Sequence, residues 1–169
     1  MKYIAISGSW RKTSEKLEKD VRDAVREIIT KGDGIIAGGA LNVDFIATDE
    51  ALKLDPTAKK IKIFLPITLR IFAKHYRKRA KEGVITGEQA EALVAQLKRI
   101  QEVNPSSLNE NKNNTVVNTE TYYERNSDIV NAADGLMAFH VNKTLGTQDA
   151  IDKARKRGIP VKVSTYTIG

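Results

Sequence analysis

The chain contains no cysteine, so disulfides, thiolate nucleophiles and cysteine-zinc centres are excluded together. It has only two histidines, His75 and His140. Neither belongs to a His-Glu-x-x-His or other paired spacing, so neither a metal nor a cofactor is expected. No stretch approaches the roughly 18 consecutive apolar residues that a membrane-spanning helix needs. The apolar run from Met1 to Ser7 is too short for a signal peptide. These absences argue against a membrane partner and lead to the expectation of a cytoplasmic protein. Aromatic residues make up only 6% of the chain, and Trp10 is its one tryptophan.

What is present fits a soluble fold. The chain has 169 residues, 41% of them hydrophobic, enough for one domain with a core of its own. The formal net charge of +7 favours anionic partners: nucleotides, phosphorylated metabolites or nucleic acid. Nucleic acid is the less favoured of these, because a basic balance is often no more than a solvated lysine face. A homo-oligomer is compatible with the sequence but not specified by it.

The patterning alternates. Tyr3 to Ser7 reads as a buried strand ending at Gly8. Leu17, Val21, Ala24, Val25, Ile28 and Ile29 then recur at helical spacing, with Gly32 as a C′ glycine. Gly34 to Ala37 is a second strand, closed by Gly38-Gly39. Val43, Ile46, Ala47, Ala51 and Leu54 mark a second helix that stops at Pro56. Ile61 to Leu65 is a third strand. Later, Thr121 to Glu124 reads as a capping box opening a helix to about Ala133. A strand from Leu136 to Val141, a short helix and a last strand at Val161 to Val163 follow. Strand-helix alternation of this kind specifies a parallel sheet with helices on both faces. The expected fold class is α/β: a Rossmann-like, doubly wound parallel sheet of about five strands in a single domain.

The middle, about 67–120, reads as an insertion. Leu69 to Ala80 gives one helix with a basic outer face. A capping box at Thr86 to Gln89 opens a second, which Asn104-Pro105 ends. Residues 106–118 are polar and Asn-rich without periodicity, and read as a surface loop that is either a lid or a tolerated insertion.

Three loops leave strands at the carboxyl edge, where open parallel sheets bind ligands. In Ser7-Gly8-Ser9-Trp10-Arg11, Gly8 permits close backbone approach, Ser9 offers a hydroxyl, Arg11 a bidentate charge and Trp10 a stacking face. The same residues also suit a plain tight turn. In Gly38-Gly39-Ala40-Leu41-Asn42-Val43-Asp44, Asn42 is a candidate helix cap. Asp44 suits either a ribose hydroxyl or the dipole of its own helix. In the third, Gly146-Thr147 opens a helix, with Thr147 read as the N-cap, and the free N–H groups there suit a phosphate. Lys153, Arg155, Lys156 and Arg157 answer the dipole at the other end. His140, near the strand edge, suits either the pocket lining or, as the favoured reading, a strand-end position.

Together these loops resemble the SLOG superfamily. That Rossmann-like group includes the LOG (lysine-decarboxylase-like) phosphoribohydrolases and the DprA/Smf DNA-processing proteins. The stretch Gly38 to Ala47 is similar to GGAxGVDxxA, with Asn42 at the third glycine. Tyr123-Glu124-Arg125-Asn126 resembles the His-Glu-Arg-Lys segment of LOG enzymes, with Arg125 on the catalytic arginine. Gly146-Thr147 matches the Gly-Thr of PGGxGTxxE. The resemblance covers 3–54 and 121–163. It implies a nucleotide or phosphoribosyl site built from Gly8, Ser9, Arg11, Gly38, Gly39, Asp44, Arg125, Gly146 and Thr147. If the chain is an enzyme, it implies N-glycosidic cleavage of a nucleoside 5′-monophosphate. Two departures bear on that chemistry: Asn142-Lys143-Thr144 replaces PGG, and Ala150 replaces the glutamate. An enzyme then requires Glu124, Asp149 or Asp44 as the substitute carboxylate beside Arg125. Ala150 itself favours a binding or sensing module. A third reading, DprA-like DNA binding, rests on Arg70, Lys74, Arg77, Lys78, Arg79 and Lys81.

Overall fold

The β-branched and aliphatic runs form the strands that their composition predicts. In the computed structural model, which describes residues 1–169, they are β1 (Tyr3–Gly8), β2 (Gly34–Ala37), β3 (Ile61–Phe64), β5 (Gly135–Val141) and β6 (Val161–Tyr166), with a short β4 (Leu108–Asn109) between them in sequence. The helices are α1 (Glu15–Thr30), α2 (Val43–Leu54), α3 (Leu69–Lys81), α4 (Gly87–Val103), α5 (Thr119–Ala132) and α6 (Leu145–Arg157). Every strand pair is parallel, and the order across the sheet is β4-β3-β2-β1-β5-β6.

Successive residues along each strand point to opposite faces of the sheet. Ile6, Ile35 and Ile63 pack under α1, α2, α3 and α4, in a core of 29 buried residues. Ala5, Ile36, Leu136 and Ala138 pack under α5 and α6, in a second core of 10. Burying a side chain of this size is worth about 1.5–3 kcal/mol, so both faces are anchored. This is why the strands read as continuous apolar runs.

Three expectations need correction. The sheet has six strands rather than five: Leu108–Asn109 pairs with Ile63 and Phe64. Two residues inside a polar, Asn-rich segment are too few to show any alternation. Helix α5 starts earlier than expected. Its capping box is Asn118 with Thr121, whose side chains each meet the other's backbone N–H. Helix α6 also starts early, with Thr144 at the cap and Thr147 inside the first turn. The capping box of α4, Thr86 with Gln89, stands as expected.

The order of strands positions the site. From β1 the chain steps outward to β2, β3 and β4. Helix α5 then carries it back across the sheet to β5, on the other side of β1. The loops after β1 and β5 therefore diverge, opening a crevice at the carboxyl edge between them.

Candidate functional site

A cavity of about 740 Å³ occupies that crevice, walled by the three loops, by α5 and by Tyr76 of α3. It contains Gly8, Ser9, Arg11, Gly38, Asp44, Arg125, Gly146 and Thr147 of the expected set. Gly39, Glu124 and Asp149 do not line it.

The loop after β1 is held by its own polar groups. The Ser9 hydroxyl oxygen accepts from the backbone N–H of Arg11 and of Lys12, each at 3.3 Å. Trp10 remains 36% exposed at the mouth, with the Arg11 guanidinium 5.4 Å from its ring centre. Gly8 is needed for packing as well as access. A Cβ there would lie 2.5 Å from Val43 of α2. Asn42 sits at the N-cap position of α2 but makes no side-chain capping bond: its side-chain amide donates instead to the Trp10 carbonyl at 2.6 Å and clips the first two loops together. Its φ of 58° belongs to the region that favours glycine, which accounts for the glycine at that place in the related motif.

The loop after β2 is built around Asp44. Its buried carboxylate accepts from the Ala40 N–H at 3.1 Å. Burial raises the Asp44 pKa, opposed by the Arg125 charge and by the N–H groups of Ala40 and Gly38. Gly38 lies against the Arg125 guanidinium, so that a Cβ there would meet Cζ at 2.7 Å. Gly39 turns away from the cavity. It has φ 74°, and a Cβ would meet Leu65 at 2.5 Å.

Helix α5 supplies the cation. Arg125 donates from Nη1 to the Gly38 carbonyl at 2.9 Å and from Nη2 to Asn126 Oδ1 at 3.2 Å. Its guanidinium sits 5.0 Å from the centre of the Tyr122 ring. Asn126 donates in turn to the Gly146 carbonyl at 3.2 Å and to Asp149 at 3.1 Å, tying α5 to α6. Two of the three carboxylates considered for chemistry are committed elsewhere. Glu124 is exposed and bound by the amides of Asn111 and Asn114. Asp149 is held by Asn126 and by the Lys153 ammonium at 2.8 Å. Asp44 is the one carboxylate on the cavity wall, and Ala150 is on that wall too. The Asn-rich loop is thus a strap. Its Asn114 also reaches the Pro66 carbonyl at 2.8 Å, and its residues 106–118 do not line the cavity.

The amino end of α6 closes the far side. Asn142 and Lys143 adopt φ of 50° and 54°; a glycine suits the second position, but proline, with φ fixed near −65°, does not fit the first, so the turn departs there from the Pro-Gly of the related motif. The first intrahelical bond runs from the Gln148 N–H to the Thr144 carbonyl at 3.1 Å. The N–H groups of Leu145, Gly146 and Thr147 precede it and have no partner within the helix. A Cβ at Gly146 would meet nothing within 4 Å, so the approach to these donors is open. His140 braces the turn through Nε2 and the Thr144 carbonyl at 3.1 Å and is not on the cavity wall.

Sequence reading missed Lys12, Asn126, Tyr76 and Tyr122 as wall residues. Tyr122 had a local signal, one helical turn before Arg125. Tyr76 had none, because only the tertiary path of α3 brings it in. The basic face of α3 is partly paired, Arg77 with Glu91 at 3.0 Å and Arg79 with Glu82 at 3.5 Å.

No protein-family model and no curated protein matches the sequence. Solved structures do match. DNA processing protein A from Helicobacter pylori, described for its single-stranded DNA binding mode, aligns over 95% of this chain with a TM-score of 0.68 and 21% identity. This chain spans 64% of that protein's length. The molybdenum cofactor binding protein of Rippkaea orientalis aligns over 97% of this chain and 76% of its own, with a TM-score of 0.59 and 17% identity. The molybdenum cofactor carrier protein of Chlamydomonas reinhardtii aligns over 100% and 91%, with a TM-score of 0.57 and 14% identity. At such identities the likeness is one of fold: the chain has a Rossmann-like fold, a doubly wound parallel sheet that it shares with these structures.

Proposed function

We propose that the crevice between β1 and β5 binds a nucleotide or phosphoribosyl compound through its phosphate, and that the domain is a binding or sensing module rather than a hydrolase. One observation carries the reading. Arg125 and the open amino end of α6 face a single cavity whose one carboxylate, Asp44, is already taken up by its own loop. A helix amino end favours an anion through its free N–H groups and dipole. Arg11 and Lys12 add charge at the mouth, and Trp10 offers a flat face to a base. Glycosidic cleavage needs a carboxylate to stabilise oxocarbenium character. Ala150 supplies none, and Glu124 and Asp149 are engaged outside the cavity. Fold neighbours that bind single-stranded DNA or a molybdenum cofactor support a ligand-carrying role.

The test is a thermal-shift panel of nucleosides, nucleoside 5′-monophosphates and ribose 5-phosphate, with released base assayed in the same samples. A ligand that binds only the native state raises its melting temperature. Monophosphates should raise it, and no base should appear. Arg125→Ala should weaken monophosphate binding about 10-fold or more, as expected for a lost charge-assisted pair. Base release would replace this reading with the N-glycosidase. Trp10 beside Arg11 and Lys12 favours one second reading, single-stranded nucleic acid at the same mouth. A shift with oligonucleotides alone would select it.

A further inference from the structure

A buried phenol places its hydroxyl against a polar partner or leaves it unsatisfied. Tyr76 is only 2% exposed, and it comes from α3, outside the three site loops. Its ring is fixed edge-on to Phe72, with centroids 4.9 Å apart. Tyr122 of α5 is close enough for the two phenols to act on each other, and both residues line the cavity. The Tyr122 ring lies beside the Arg125 guanidinium, and the charges of Arg125 and Asp44 act on both phenols. Four groups from α2, α3 and α5 therefore meet on one wall.

Their hydrogen-bonding capacities are unequal. Arg125 has five N–H donors and two named acceptors, Gly38 and Asn126. Asp44 is the acceptor of the group, and it is committed to Ala40. The two phenols bring a proton each, one of which is used whenever the two hydroxyls bond to each other. Burial raises both phenol pKa values, so both stay protonated at neutral pH. The wall is rich in donors and matches a ligand group rich in acceptor oxygens.

We propose that Tyr76 and Tyr122 contact the ligand and set its specificity. Their hydroxyls, beside Arg125, hydrogen-bond the oxygens of its phosphate group, so that the site takes phosphate monoesters in preference to unphosphorylated nucleosides. This inference rests on the phosphate-binding reading above. It also gives the inserted helix α3 a part in recognition.

Tyr76→Phe and Tyr122→Phe remove one oxygen each and keep both rings. The variants and their double are titrated by Trp10 fluorescence with adenosine and guanosine 5′-monophosphates and with the two nucleosides. Where a nucleoside binds too weakly to titrate, inorganic phosphate is used as a competitor of the monophosphate. Each single variant should weaken monophosphate and phosphate binding about 10-fold, leave nucleoside binding unchanged, and combine non-additively in the double variant. Monophosphate affinities equal to wild type would overturn the proposal. So would equal losses for nucleotide and nucleoside together with a lower melting temperature, which is the pattern of two core-filling rings. If the wild-type protein binds no monophosphate at all, the phosphate-binding reading fails first, and the two failures are distinguishable.

Discussion

At the scale of single residues, glycines that look alike in the motifs do different work. Gly39 is a backbone and packing requirement, with φ 74° and Leu65 in the place of any Cβ. Gly39→Ala should cost about 2–4 kcal/mol, from the left-handed penalty plus overpacking. Gly146 is a helical position with open space around it. Gly146→Ala should raise stability by about 0.5–1 kcal/mol while weakening monophosphate binding, because the new methyl covers the approach to the α6 donors. Denaturant unfolding and titration of both variants check the pair; parallel changes in stability and affinity for Gly146→Ala would remove it from the ligand's path. Asp44 makes a separate prediction. Its pKa is raised in the folded state, so the native protein holds that proton more tightly than the unfolded chain does. The associated stability is fully present below the unfolded value and is lost as pH rises through the raised folded value. Asp44→Asn abolishes that titration. The melting-temperature difference between variant and wild type should therefore move in the variant's favour as pH rises from about 4 to 8. The lowered pKa values of Asp20, Asp49 and Glu91 act in the opposite direction but are common to both proteins. A pH-independent difference would show that Asp44 titrates alike in both states.

At the scale of elements, strands and helix interiors were legible in the sequence because apolar spacing sets them directly. The ends were less so, because each depends on which of several polar residues captures a backbone N–H. Asn118 with Thr121 and Thr121 with Glu124 both satisfy the spacing of a capping box, and the tertiary fold selects the first pair. The choice has consequences for the site. With Asn118 at the cap, Glu124 falls on the outer face under the Asn-rich strap, while Tyr122 and Arg125 face the cavity. The β5–α6 turn shows the same limit. Its Gly-Thr was visible, but not that Asn142 and Lys143 would hold positive φ in succession. Asparagine tolerates that conformation, whereas lysine pays about 1–2 kcal/mol for it. Lys143→Gly relieves the cost at the expense of a more flexible unfolded chain. A net gain of up to about 1 kcal/mol is expected in chemical denaturation, with monophosphate binding retained. A loss of stability would mean that the Lys143 side chain contributes contacts that outweigh its backbone strain.

At the scale of the molecule, the fold class was readable because both sheet faces are covered, which writes the strands as apolar runs. The cavity was only partly readable. Ser9, Gly38, Arg125 and Gly146 carried motif or position signals, whereas Tyr76 is separated from them by a segment that no motif covers. The net charge of +7 was the weakest guide, since many of the basic side chains lie away from the crevice. What matters is how many cations act on one ligand, and salt dependence measures that number. For single-stranded nucleic acid, log K falls against log salt with a slope of roughly −0.7 per phosphate contacted. A nucleoside monophosphate held by Arg125 and the α6 donors presents one phosphate. Its affinity should therefore fall with a slope no steeper than about −1. An oligonucleotide tracking Arg11, Lys12 and Arg125 across the mouth makes several contacts, and its slope should exceed about −2. Titration of Trp10 fluorescence with each ligand at several salt concentrations separates the two. If only the steep dependence is seen, the crevice is one station on a longer nucleic-acid track, and its phosphate preference is a property of the polymer.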